Sequence, residues 1–283
     1  MKVRIFPESN YKAIHMNGKT IRIALDPKQP ITELKFPEFY DVKVTGKCFG
    51  NCPWCYQDSK ETCENPENAV QKFGEFFGSM TENEKPFQIA FGGGEPTESP
   101  DFLYLLIKCS ELGITPNYTT NGMWVDYMHP AKMNTILEYT KKYCGGVAVS
   151  THPHLRGYWL KAVDLYLSRD IFTNLHIIIS DKKSVDDFME IYKKYTGKVK
   201  YFVLLPLTAQ GRAKEASIDW DYLQSQIQGS PKDIAFGANF YPYLMKDPKR
   251  FNVSLYEPEI MSKYLDLSDM KIYPSSFSTT PIN

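Results

Sequence analysis

The chain has 283 residues, and its 33 lysines and arginines are balanced by 33 aspartates and glutamates. That length is enough for one large domain or two small ones, and the zero formal charge argues against a mainly electrostatic grip on a long nucleic acid. No apolar run reaches the ~18 residues of a membrane-spanning helix, and six cysteines, all before residue 145, suit a cytoplasmic setting where thiols stay reduced or hold metal.

Met1 to Phe6 reads as an alternating strand rather than the apolar stretch of a signal peptide. Asn17-Gly18, between Tyr11–His15 and Thr20–Leu25, predicts a β-hairpin. The proline-rich run from Asp26 to Pro37 is a connector. Residues 1–36 thus form an N-terminal β extension.

From Phe39 strands and helices alternate. Ala69, Val70, Phe73, Phe76, Phe77 and Met80 mark one helical face, followed by a strand at Phe87–Phe91. Ser99 as cap, Pro100 at the first turn and Gly113 past the end frame a second helix with Phe102, Leu103, Leu106 and Cys109 on its apolar side. Thr115–Thr120 is a strand, Pro130 opens a helix that ends before Gly145, and Gly146–Ser150 is a buried strand. Residues 156–168 are helical, Thr173–Ile179 extended, and Ser184 with Asp187 starts a helix through Tyr195. Val199–Leu205 is a sixth strand, before a short helix around Trp220, Leu223 and Ile227.

Strand–helix alternation with short loops predicts a parallel sheet with helical crossovers, an α/β fold. A partial (β/α)6 TIM-type barrel over residues 37–232 fits best. A flat doubly wound sheet is the rival, and alternation alone does not separate them. Beyond it, residues 233–283 read as a small C-terminal cap: strands at Phe236–Leu244 and Met270–Tyr273, joined by a helix near Glu257–Leu265.

In parallel α/β folds reactive groups gather on the loops after the strands' C-terminal ends. Here the first such loop holds Cys48, Cys52 and Cys55 in C-x3-C-x2-C spacing, a set of metal ligands. The second is Gly92-Gly93-Gly94-Glu95, the third Thr119-Thr120-Asn121-Gly122, the fourth Ser150-Thr151-His152-Pro153-His154, and the sixth strand ends at Leu205-Pro206-Leu207. Each has a plainer reading. Three cysteines with Cys63 as a fourth make a zinc site, and the glycine and Asn-Gly loops are turns. Cys109 and Cys144 read as core thiols.

The cysteine loop with Trp54 before its last cysteine, followed by Gly93-Gly94-Glu95 on the next strand, resembles the radical SAM superfamily over roughly residues 39–210. The resemblance implies one [4Fe–4S] cluster per chain on Cys48, Cys52 and Cys55, with S-adenosylmethionine (SAM) on its open iron and an anaerobic habit. It implies cofactor contacts from Trp54, Gly93, Gly94, Glu95, Thr120, Asn121, Ser150, His152 and Leu205. Glu95 or its neighbouring backbone would meet the methionine amino group, and glycines 92–94 would let the backbone approach the ligand. Trp54 would lie on the adenine. His152 stands where many relatives carry an acid. Leu204–Ala213 resembles the sixth-strand segment of peptide-maturing members. Ile272–Phe277 resembles the place of an auxiliary-cluster cysteine in SPASM or twitch extensions, but serine stands there and no cysteine follows Cys144.

The expected activity is hydrogen abstraction from a peptide or small metabolite, with a redox-neutral outcome preferred and flavodoxin or ferredoxin as electron donor. A nucleoside or nucleic-acid substrate is the alternative, with neutral charge against long polymers. A non-catalytic zinc or iron–sulfur protein is the rival from another class. His154 and Arg156 are candidates for the site rim, and Tyr118 and Cys144 are the only, unassigned, candidates for a hydrogen donor.

Overall fold

The computed structural model describes residues 1–16, 18–215, 217–227, 229, 231–247, 250–251 and 258–282. It opens with an antiparallel sheet of β1 (Lys2–Phe6), β2 (Tyr11–Met16) and β3 (Lys19–Ala24), in that order. The hairpin expected from the sequence is β2–β3; Asn17 of its turn lies outside the described residues. One sheet face buries Phe6, Tyr11 and Ala13 with Ile31, Leu34 and Phe87. Buried Arg4 donates to the carbonyls of Phe36, Pro37, Asn83 and Glu84, which ties this sheet to the barrel's base.

Six strands then stand in sequence order, each parallel to the next: β4 (Phe39–Thr45), β5 (Gln88–Gly93), β6 (Thr115–Thr120), β7 (Gly146–Ser150), β8 (Thr173–Ile179) and β9 (Tyr201–Pro206). Helices α1 (Ala69–Gly78), α2 (Phe102–Glu111), α3 (Trp124–Tyr127), α4 (Pro130–Tyr143), α5 (Arg156–Ser168), α6 (Lys182–Tyr195) and α7 (Trp220–Gln226) accompany them. A doubly wound sheet reverses its strand order at a switch point. This order does not reverse, so the sheet winds one way, as the partial barrel requires. Alternation along β4 sorts the faces: Tyr40, Val42 and Val44 join the main core with Phe73 and Phe77, while Phe39 and Asp41 line an inner cavity.

Several boundaries differ from the expectation, each for a local reason. The cap of α6 is Asp181, whose carboxylate accepts from Ser184 N at 2.8 Å while Ser184 Oγ accepts from Asp181 N at 3.0 Å. Ser184 is therefore the third residue of a capping box rather than its first. Helix α2 starts at Phe102, because Ser99 instead closes a turn by accepting from Asp101 N at 3.2 Å. The unpredicted turn α3 buries Trp124 completely.

The C-terminal region departs most. Strand β10 (Ile234–Phe236) is short and pairs with β9 in parallel. Residues 238–244 form a 3-10 turn and α8 (Tyr241–Leu244), not a strand. Pro242 offers no N–H to a ladder, and Phe240 buries against Trp220, ring centroids 5.7 Å apart. The helix expected near Glu257–Leu265 is one turn, α9 (Pro258–Met261), and Glu257 lies outside the described residues. Then β11 (Ser262–Asp266) lies parallel on β4, with β12 (Lys271–Tyr273) antiparallel beyond it. The exposed hydrogen-bonding edge of β4 outweighs the local helical tendency. Among the described residues the sheet has nine strands, in the order β10-β9-β8-β7-β6-β5-β4-β11-β12.

Candidate active site

The cysteine loop leaves β4 at Thr45 and is held from two sides. Its own backbone closes it: Cys48 N donates to Lys60 O at 3.1 Å and Cys55 N to Cys52 O at 3.2 Å. From beyond β9, Arg212 reaches across: Nε donates to Cys52 O at 2.8 Å, Nη1 to Ser59 O at 2.9 Å and to Asp58 Oδ1 at 3.1 Å, and its backbone N to Cys55 O at 3.0 Å. The approach needs glycine at 211: φ is +60°, and a Cβ there would sit 2.3 Å from Cys55 O.

Burial pushes the Cys48 thiol up to about 11 and the Cys52 thiol to about 12. Ligation must therefore displace their protons. Donors are already aimed at the charge that would form, since Gly50 N lies 3.3 Å and Asn121 Nδ2 3.5 Å from Cys48 Sγ. Among the described residues no three Cys, His, Asp or Glu side chains converge on one ion. A cluster, which gives each thiolate its own iron, does not ask them to.

The glycine loop borders the cavity and also has a task within the protein. Gly93, at φ +106°, and Gly94 are closed by protein, because a Cβ would meet Thr45 O at 2.6 Å and Lys47 O at 2.1 Å respectively. They let Gly94 N and Glu95 N bond Thr45 O and Lys47 O, docking this loop under the cysteines. Only Gly92 faces open space. Glu95 is 2% exposed. Its Oε1 accepts from Thr120 Oγ1 and Thr97 Oγ1, both at 2.8 Å, and its Oε2 from Asn121 N at 2.8 Å. Burial outweighs these donors and raises its pKa to about 7. Its carboxylate ties the second loop to the third and so sets Asn121 beside Cys48.

Trp54 is held by the fourth loop: its Nε1 donates to His152 Nδ1 at 3.3 Å, and its ring meets His154 edge-on at 5.3 Å. Burial lowers His152 to about 4, so it is a neutral acceptor near pH 7.

One cavity of about 840 Å³ gathers these groups, near the upper end of ligand-site volumes. Cys48, Cys52, Cys55, Trp54, Gly93, Gly94, Glu95, Thr120, Asn121, Ser150, His152 and Leu205 all line it. Other candidates do not. His154 bonds Gly50 O at 3.0 Å, and Arg156 pairs outward with Glu190 at 3.7 Å. Tyr118 lies behind the sheet, bonded to Thr140 and Tyr166, and neither it nor Cys144, Cys109 or Cys63 borders the cavity. Asp41, Gln57, Ser59, His176 and Tyr264 line it and were not singled out from the sequence. Asp41 carried a signal: an acid between Tyr40 and Val42 on a strand must face away from the core. Tyr264 carried none, since its strand is set by its pairing with β4 and β12 rather than by a local pattern.

The family model for the Radical SAM superfamily matches residues 42–204. That is more than half of the chain, which therefore belongs to the radical SAM superfamily, a class of enzymes that depend on SAM. A search of curated proteins gives no match. Among solved structures, Streptococcus suis SuiB bound to precursor peptide SuiA is similar over 89% of this chain and 63% of that one, with TM-score 0.66 and 15% identity. SuiB bound to S-adenosylmethionine covers 89% and 64%, at 0.62 and 15%. The structure of anSMEcpe with bound AdoMet and Cp18Cys peptide covers 86% and 75%, at 0.57 and 13%. At these identities the likeness is one of fold, and the chain spans 63% of the SuiB chain in its peptide complex. No helix among the described residues is long and apolar enough to cross a membrane.

Proposed function

We propose that the chain holds one [4Fe–4S] cluster on Cys48, Cys52 and Cys55, binds SAM in the adjoining cavity, and abstracts hydrogen from a peptide or small metabolite. The observation that carries this is the convergence of three cysteines and the polar ends of β5, β6 and β7 on one cavity. The donor set fits the group: three thiols on one loop at the cavity, Cys52 buried and Cys48 and Cys55 partly so, with N–H groups aimed at Cys48.

Held on Cys48, Cys52 and Cys55, such a cluster would supply the electron for reductive cleavage of SAM. The chain's residues prepare for that. Gly50 N and Asn121 Nδ2 support the charge on Cys48, and Glu95 keeps Asn121 in place. Gly92 leaves open space for the methionine end, with Ser150 and Thr120 as polar partners. Trp54, anchored on neutral His152, walls the loop side and keeps water from the reacting atoms. The peptide-bound structures of SuiB and anSMEcpe support a peptide substrate. Because no cysteine follows Cys144, residues 145–283 offer no thiolates to an auxiliary, electron-accepting cluster, which favours a redox-neutral outcome. A flavodoxin or ferredoxin would supply the electron.

Anaerobic reconstitution is expected to give a brown protein with about four irons per chain. With dithionite it should convert SAM to 5′-deoxyadenosine, and Cys48→Ala should lose both properties. A colourless protein with one tightly held zinc, or a Cys48→Ala variant equal to the native chain, overturns the reading.

A further inference from the structure

Three side chains on one wall of the cavity, those of Asp41, Gln57 and Ser59, carry oxygen atoms without a hydrogen-bond partner among the described residues. Asp41 faces inward from β4, with Tyr264 of β11 as its register partner. No hydrogen bond or ion pair from a described residue reaches its carboxylate. Two lysines beside it in the sheet are engaged elsewhere: Lys43 Nζ with Asp266 at 2.8 Å, and Nζ of Lys263, the register partner of Tyr40, with Glu33 at 2.6 Å. Gln57 Oε1 and Ser59 Oγ are buried and unpartnered on the same cavity.

Aromatic rings enclose these groups. Tyr56 accepts from Gln57 Nε2 at 3.0 Å and stacks on Phe277 with centroids 4.5 Å apart. Tyr264 lies within reach of Gln57 and feels the charge of Asp41. Asp41 is partly buried on this wall, and a carboxylate held there without a partner is costly until a partner arrives. Burial alone raises Asp41 to about 7.

We propose that this wall is the substrate subsite and takes a cationic nitrogen group, a protonated amine or a guanidinium, carried by the peptide or small-molecule substrate. The assignment rests on the proposed enzyme function only in calling the ligand a substrate. Asp41 supplies the counter-charge and Gln57 Oε1 and Ser59 Oγ accept further N–H groups. The ring faces of Tyr56, Tyr264 and Phe277 favour a cation over a neutral chain.

The test titrates three capped tripeptides, acetyl-Gly-Xaa-Gly-amide with Lys, Arg or norleucine, into the anaerobically reconstituted full chain, with and without SAM. The Lys or Arg peptide is expected to bind ~10- to 100-fold more tightly than the norleucine peptide, and the stronger of the two identifies the group. Asp41→Asn should abolish the preference and Asp41→Glu restore part of it. Gln57→Leu should weaken it by a smaller factor, which keeps the test decisive if Asp41→Asn does not fold. Equal binding of norleucine, or a preference that survives either Asp41→Asn or Gln57→Leu undiminished, overturns the proposal. A protein that shows the preference but neither binds nor cleaves SAM overturns the enzyme reading and leaves the cation subsite standing.

Discussion

Asp41 and His176 face the same cavity and respond to it in opposite directions for one reason: burial favours the neutral form of each. Asp41 rises from 3.8 to about 7 and His176 falls from 6.5 to about 4. Between about pH 4 and pH 7 the folded chain keeps the Asp41 proton that the unfolded chain has released, so this group's contribution to stability is lost as pH rises through about 7. His176 works the other way: its contribution is present above pH 6.5 and lost as pH falls through about 4. The two partly cancel in the native protein, so the informative quantity is a difference. Asp41→Asn is expected to gain stability over the native chain as pH rises from 4 to 8, read from urea midpoints. A difference that stays flat across that range removes the buried-carboxylate account.

At the scale of elements, the segment after β9 decides how rigid the cysteine loop is. Arg212 makes three side-chain bonds to that loop, to Cys52 O, Ser59 O and Asp58 Oδ1. Arg212→Ala takes the donor from Ser59 O and leaves Cys52 O only Cys55 N, and should cost ~1–3 kcal/mol, with faster iron release to a chelator. Gly211→Ala should do worse, since it sets a Cβ 2.3 Å from Cys55 O at a φ of +60°. Reconstituted variants that hold iron as long as the native protein would remove the clamp from the account. Gly211-Arg212 could be read in the sequence as part of a strand-end segment, yet its task was hidden, because a contact across more than 150 positions leaves no local pattern.

For the whole molecule, the C-terminal strands complete the sheet rather than sitting on it. Strand β11 covers β4, β10 covers β9, and Tyr264, Ser276 and Phe277 wall the cavity. A chain stopped after residue 257 would leave β4 as an open edge and the cavity breached. It should elute as aggregates in size-exclusion chromatography and lose SAM binding by at least tenfold. A monomeric truncated chain with native SAM affinity would show that β11 and β12 are dispensable.

The sequence by itself determined the alternation of six strands and their helices, and the polar strand ends that meet at one rim, because period-two and period-3.6 patterns and turn residues act locally. It also placed the three cysteines, whose spacing lies within one loop. Tertiary structure decided what local patterns do not encode. It settled barrel against doubly wound sheet through strand order, and turned the region around Ser262–Asp266 from helix to strand through the open edge of β4. It also gave Gly93, Gly94 and Glu95 the task of docking loops together, and left Asp41 facing a cavity without a partner among the described residues. Each of these depends on backbone or side-chain groups far apart in the chain, whose hydrogen-bonding needs become visible only when the strands are assembled.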